Sequence, residues 1–277
     1  MKLSGLLMIF FLFSCPLVLT AKETVLWRVT DWPPFYILEG KDKGKGLYDE
    51  MITLLSRGMP EYTHVRKEMN TDRVRNEMNK GTKVCHPSVL FNTEGTLSVV
   101  NSILLPHRLI FQKNDSRLTK FNDPASLDIL FADKEVRGGI IPRRYTAALN
   151  KITNKHSFRD HLYKTPHYKK VIKMLLHNRL DYIIEYTPII SYSAKQLGIE
   201  NNTTSKEILE TQDTPFLLVY VACPKTDWGQ MMIDKINKIL LSESKTSDFL
   251  NFRIRWYDNS SKKLLEKYYQ EHYFNDK

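Results

Sequence analysis

The 277-residue chain is poor in cysteine, with three residues and no Cys-x-x-Cys pair. That removes the usual sequence frame of a structural zinc site or a thiol–disulfide oxidoreductase. The eight histidines supply no ligand spacing either, since His156 and His161 are five apart and miss the offset that puts two side chains on one helix face. Glycine is scarce at 11 residues, and none builds a phosphate-cradling loop or a Gly-x-Ser-x-Gly nucleophile elbow. Beyond residue 21 no apolar run is long enough to cross a bilayer. Neither a metal nor a cofactor is expected.

Acidic residues are also under-represented: 31 Asp and Glu face 41 Lys and Arg, a formal net charge of +10. A basic balance favours anionic partners. Yet the cations are scattered through Lys41-Asp42-Lys43, Lys169-Lys170 and Lys262-Lys263, with acids between them and no nucleic-acid recognition motif. They read as a solvated surface, and no nucleic-acid partner is expected.

What is present begins with an apolar leader. Lys2 precedes a run over residues 6–19 and then the small residues Thr20 and Ala21, the layout of a secretory signal peptide cleaved near Ala21. Leu12-Phe13-Ser14-Cys15 roughly fits a lipobox, but the bulky Phe13 and the apolar residues after Cys15 argue against lipidation. The expected product is an exported, periplasmic or secreted monomer that keeps Cys85 and Cys223. Two cysteines in an oxidising compartment commonly pair, so these two are expected to form a disulfide.

Directly behind the leader, the alternating segment Val25-Leu26-Trp27-Arg28-Val29 runs into Asp31-Trp32-Pro33-Pro34-Phe35. Proline cannot donate a ladder hydrogen bond, so the strand stops there. Trp32 and Phe35 are left as an aromatic platform at a strand end, where open α/β sheets bind ligands. Apolar spacing predicts helices over 49–57, 71–79, 168–177 and 231–241 and strands over 84–91, 135–141, 180–186 and 216–223. A helix is expected from Pro142 through Leu149, with Arg143 and Arg144 at its start forming an anion-binding corner. Pro188 is read as a strand stop that leaves Glu185 and Tyr186 at another edge. A charged amphipathic helix over 262–273 closes the chain.

The order of these parts resembles family 3 of the bacterial extracellular solute-binding proteins. The likeness rests on Asp31-Trp32-Pro33-Pro34-Phe35, Gly44 to Gly46 before a helix, the Arg73 helix, Gly81 to Cys85, Asn178-Arg179-Leu180-Asp181-Tyr182, and the Val219 strand with its Ile236-Asn237 helix. Ile183-Ile184-Glu185-Tyr186 and Val219-Tyr220-Val221-Ala222-Cys223 are similar to a divergent branch. The resemblance implies an α/β fold of the type II periplasmic-binding-protein kind, two lobes joined by two crossing segments. Lobe I would combine 22–108 with 214–277, and lobe II would be 109–213, which places both mature cysteines in lobe I.

The implied activity is closure on a small polar solute without catalysis, for transport or sensing, with an inner-membrane transporter or sensor as partner. The residues assigned to the ligand are Trp32, Phe35, Asn92, Thr93, Arg143, Tyr145, Glu185 and Tyr186. Gly95 stands where amino-acid binders of the family carry an arginine for the ligand α-carboxylate, and glycine cannot replace that bidentate pair. Ordinary amino acids are therefore expected to bind weakly. The alternative is an enzyme on the same fold, similar to cyclohexadienyl dehydratase, which would need an acid or base in the cleft.

Overall fold

A computed structural model describes residues 21–90, 95–142, 144–199, 202–243 and 246–271. The leader expected over 1–21 lies outside these residues except for Ala21, and Asn92, Thr93 and Arg143 lie wholly outside them. In chain order the elements are β1 (Thr24–Val29), α1 (Leu47–Gly58), β2 (Thr63–Glu68), α2 (Thr71–Asn79), β3 (Val84–Leu90), β4 (Thr96–Leu104) and β5 (Arg108–Gln112). They continue with α3 (Ser116–Thr119), α4 (Leu127–Ala132), β6 (Gly138–Ile140), α5 (Ala147–Lys155), β7 (Leu162–Lys164), α6 (Tyr168–Leu176), β8 (Tyr182–Glu185) and α7 (Thr187–Leu197). The last are β9 (Thr203–Lys206), β10 (Leu217–Cys223), α8 (Asp227–Glu243), α9 (Ser247–Ile254) and α10 (Asn259–Tyr269).

The strands form two five-stranded sheets ordered β2-β1-β3-β10-β4 and β7-β6-β8-β5-β9. Each has three parallel strands completed by two antiparallel pairings, made by β10 in the first sheet and β5 in the second. This is the two-lobed α/β architecture. The chain crosses from the first lobe to the second between β4 and β5, at residues 105–107, and returns between β9 and β10, at residues 207–216.

In lobe I, Val25, Trp27 and Val29 of β1 join the main core. The pleat sends Leu26 and Arg28 to the other face, where α2 lays Val74 and Met78 over a smaller cluster with Met69, Val84 and Val89. Asn70 caps α2 by accepting from the Arg73 N–H, and Gly81 follows in the left-handed region at φ 74°. Cys85 in β3 and Cys223 in the neighbouring β10 are bonded, with Cα atoms 4.4 Å apart and a sequence separation of 138. The expected disulfide joins the two chain stretches that build this sheet.

Three local readings are corrected. The described residues between Ile141 and Ala147 are not helical: Thr146 is extended, α5 starts only at Ala147, and the Tyr145 hydroxyl accepts the Ile141 N–H. Arg144 therefore lies in the stretch before α5 and not at a helix start, while Arg143, the other half of the expected corner, lies outside the described residues. Pro188 does not simply stop a strand, because it sits in the first turn of α7, where a missing N–H costs nothing. The strand expected over 135–141 shrinks to β6.

Candidate functional site

The aromatic platform is fixed from below. After β1 the chain turns so that the N–H groups of Phe35 and Tyr36 both donate to the Trp32 carbonyl, and the Tyr48 N–H at the start of α1 donates to the Phe35 carbonyl. The buried Asp49 carboxylate ties this turn to the helix by accepting from the Ile37 and Gly46 N–H groups at 2.7 and 3.3 Å. A side chain at Gly46 would strike the Phe35 carbonyl, so glycine is required at that approach. Trp32 and Phe35 pack with ring centroids 4.3 Å apart and their planes tilted by 38°. Phe35 is buried beneath Trp32, and of the two it is Trp32 that lines the cavity described next.

That cavity, of about 760 Å³, opens along the junction of the lobes. Lobe I contributes Arg28, Thr30, Asp31, Trp32, Thr71, Arg75, His86 and Ser88, and lobe II contributes Arg144, Tyr145 and Tyr168. A second hollow of about 570 Å³ shares Asp31 and Tyr168 with it as a common wall. The larger hollow is the candidate site, because the ends of β1 and β3, the Trp32 platform and the Arg144 loop converge there. The seam is closed by Lys169, which pairs with the Asp31 carboxylate, and by the Tyr168 hydroxyl, which donates to the Asp31 carbonyl. Gln196 of α7 also donates to Asp42, and Tyr192 packs edge-on against Trp256 at 5.1 Å.

The lobe II wall is organised around Arg144. Its Nε donates to Glu185 Oε2 at 2.8 Å, and its guanidinium lies 4.6 Å from the Tyr168 ring centroid and 5.8 Å from that of Trp32. Burial works against the charge, yet the facing Glu185 carboxylate outweighs it and holds the guanidinium protonated more firmly than usual. Glu185 is fully buried at the end of β8, and its other oxygen accepts the Tyr186 N–H at 2.9 Å. It reaches the cavity only through Arg144. Tyr186 is buried against Phe35 at 5.7 Å, and its ring packs at 3.9 Å, tilted by 34°, on His107 of the first crossing segment. Tyr145 lines the cavity with its hydroxyl used on the backbone.

The lobe I wall holds residues that sequence reasoning left out. Arg28 is 6% exposed, its Nε donates to the Met69 carbonyl at 3.0 Å, and its guanidinium lies 5.8 Å from the Tyr36 ring centroid. Tyr36 and Ser88 share a hydrogen bond of 2.8 Å, and the Ser88 hydroxyl is 3.3 Å from His86 Nε2. Burial, reinforced by the positive charge of Arg28, holds the His86 imidazole well below its usual pKa and therefore neutral. Arg75 lies 3.5 Å from Asp72 with half of its side chain exposed. The only signal for Arg28 was its alternation with Leu26, which by itself equally describes a solvent-facing residue. Gly95 has φ 150°, and a Cβ there would meet Met78 Cε at 2.6 Å and the Cys223 carbonyl at 2.9 Å. A long side chain does not fit at that position.

No family model matches the chain, and no curated protein matches it. Solved structures do match its fold. One is the probable amino-acid ABC transporter extracellular-binding protein ytmK from Bacillus subtilis, at 16% identity and TM-score 0.64 over 87% of this chain and all of that one. Another is a histidine kinase sensor domain with similarity to periplasmic binding proteins, at 13% identity and TM-score 0.61 over 85% of this chain and 96% of that one. A third is an ancestral cationic amino acid solute-binding protein, at 13% identity and TM-score 0.63 with the same two coverages. At these identities the shared property is the fold, which is the two-lobed periplasmic-binding-protein-like one.

Proposed function

We propose that the protein is an exported solute-binding protein that closes its two lobes on a small polar molecule, for transport or sensing, without transforming it. The observation that carries this reading is the cavity at the lobe junction, where Trp32 from one lobe and Tyr168 from the other border a volume of about 760 Å³. That volume falls in the range of small-molecule sites. Two crossing connections make closure a hinge motion rather than a linker motion. The named neighbours, a transporter's extracellular binding protein and a kinase sensor domain, support both uses of the fold. An inner-membrane transporter or sensor is the corresponding partner.

Ordinary α-amino acids are poor candidates. Glu185, beside the position from which the family would hold an α-amino group, has both carboxylate oxygens engaged within the protein. Thermal melting across amino acids, peptides, polyamines, organic acids and inorganic anions tests the reading. A ligand at a hundred times its Kd stabilises by about 2.7 kcal/mol, and its shift should shrink in Trp32→Ala. Solution scattering should show compaction with the same ligand, and a turnover assay on the panel separates binder from dehydratase. No stabilisation by any class, or none that depends on Trp32, would contradict the reading.

A further inference from the structure

The cavity sorts charge more sharply than a general solute site requires. Three arginines, Arg28, Arg75 and Arg144, face one carboxylate, Asp31, and that carboxylate is held by Lys169 across the seam. Arg144 is matched in charge by Glu185 through its Nε while its Nη2 is buried with no hydrogen-bond partner among the described residues, and Arg75 leans on Asp72. Arg28 is different in charge: it is buried, it lines the cavity, its hydrogen bonds go to the neutral Met69 carbonyl and Tyr36 hydroxyl, and among the described residues no carboxylate lies within ion-pair distance of it. A buried guanidinium with no counter-charge is costly unless something pairs with it. Beside it the Ser88 and Tyr36 hydroxyls share a rotatable hydrogen bond and can turn a donor toward an incoming oxygen.

We infer that the solute is a small oxyanion with no ammonium group, gripped by Arg28 of lobe I and bordered by Arg144 of lobe II. The inference rests on the cavity being the solute site. An ammonium would meet guanidinium groups on both walls, and among the described residues the one carboxylate lining the cavity, Asp31, is already paired with Lys169, while Glu185 is fully buried and bonded twice. Like charges brought together in such a cleft repel. An oxyanion instead supplies the missing partner of Arg28, and the guanidinium fork suits a carboxylate as well as a phosphate or sulfate. Any apolar part of the solute lies against Trp32. Arg28 would thus do from β1 what the missing arginine at Gly95 cannot do.

Calorimetry on the purified protein with matched probes decides the matter: 3-phenylpropionate against phenylalanine, succinate against aspartate, phosphate and sulfate as inorganic oxyanions, and putrescine as a cation. At least one oxyanion should bind, and any acid that binds should do so about tenfold or more tighter than its amino counterpart. Arg28→Gln should then weaken it about ten- to hundredfold, the loss expected for a charge-assisted pair, and Arg28→Lys should restore part of the affinity. Binding by the organic acids assigns a carboxylate source, and binding by phosphate or sulfate alone assigns an inorganic one. Phenylalanine, aspartate or putrescine binding as tightly as the acids, or an acid unaffected in Arg28→Gln, would overturn the inference and leave solute binding standing. Should Arg28→Gln not fold, the wild-type pairs and Arg28→Lys still decide. Silence from every probe and from the wider thermal panel would overturn both.

Discussion

Lobe II presents to the cleft a cation already matched, since Arg144 donates to a carboxylate that is itself anchored by the Tyr186 N–H. Lobe I presents Arg28, also buried, with its Nε spent on a backbone carbonyl and no carboxylate opposite it among the described residues. The first arrangement is matched in charge, although Arg144 Nη2 is buried with no hydrogen-bond partner among the described residues. The second leaves a charge to be met by something that enters. A second contrast runs beneath this one: the lobe I sheet is assembled from two distant chain stretches and cross-linked between β3 and β10, whereas lobe II is one continuous stretch from β5 to β9 with both mature cysteines elsewhere. The lobe that leaves its charge open has the covalently fixed frame.

The largest effect is expected from removing that frame. Replacing Cys85 and Cys223 with serine should cost up to about 5 kcal/mol by the loop-entropy argument for a closure of this length. Denaturant unfolding with and without reductant measures it, and a negligible change would show that the sheet does not depend on the staple. Next comes the matched wall. Arg144→Met strands a fully buried carboxylate at Glu185, and breaking a buried pair costs about 3–5 kcal/mol. The double variant Arg144→Met with Glu185→Leu should recover most of that loss in the same assay; equal instability of single and double variants would mean that the pair is not a closed unit.

The pH response sharpens the comparison at the junction. His107 lies between Tyr186 and Tyr145, neither ring nitrogen has a partner among the described residues, and burial, with help from Arg144, pushes its pKa down to about 3. The unfolded chain takes up this proton near the ordinary value of 6.5 while the folded one resists until about pH 3. This contribution is therefore complete above about pH 6.5 and is lost as pH falls toward 3. His86 acts in the same direction. Melting temperature followed from pH 7.5 to 4 should fall less steeply in His107→Phe, which forfeits no hydrogen bond. An unchanged slope would remove His107 from the account. The smallest effect belongs to the exposed seam: Asp31→Ala, which breaks the pair with the half-exposed Lys169, should change stability by about 0–1 kcal/mol.

The sequence carried the elements whose side chains repeat in step with their backbone. β1, α2, α6, β10 and α8 bury clear stripes, and α2 was read to its residue bounds because Asn70 and Gly81 punctuate both ends. Edge strands escaped. β2 shows mostly exposed residues on both faces, while β7 and β9 are only three and four residues long, so none offers a period to read. The helix α7 was hidden by Pro188, which stops strands and starts helices alike. In the site, Trp32 was legible because the double proline isolates it. Arg28 was not, because its partners, the Met69 carbonyl and the Tyr36 ring, lie outside β1 where no local pattern reveals them. Glu185 was legible as a residue but not as a partner, since Arg144 reaches it from a loop where a helix had been expected.

The central claim is that a solute enters between the lobes and meets Arg28. A crystal structure of the protein with its tightest-binding oxyanion tests this directly. An oxygen of the solute is expected about 3 Å from the Arg28 guanidinium, the charge-assisted distance, with Trp32 against the remainder and the contact between Arg144 and Glu185 intact. A solute bound outside the junction, or one that displaces Arg144 to reach Glu185 and leaves Arg28 unpaired, would contradict it.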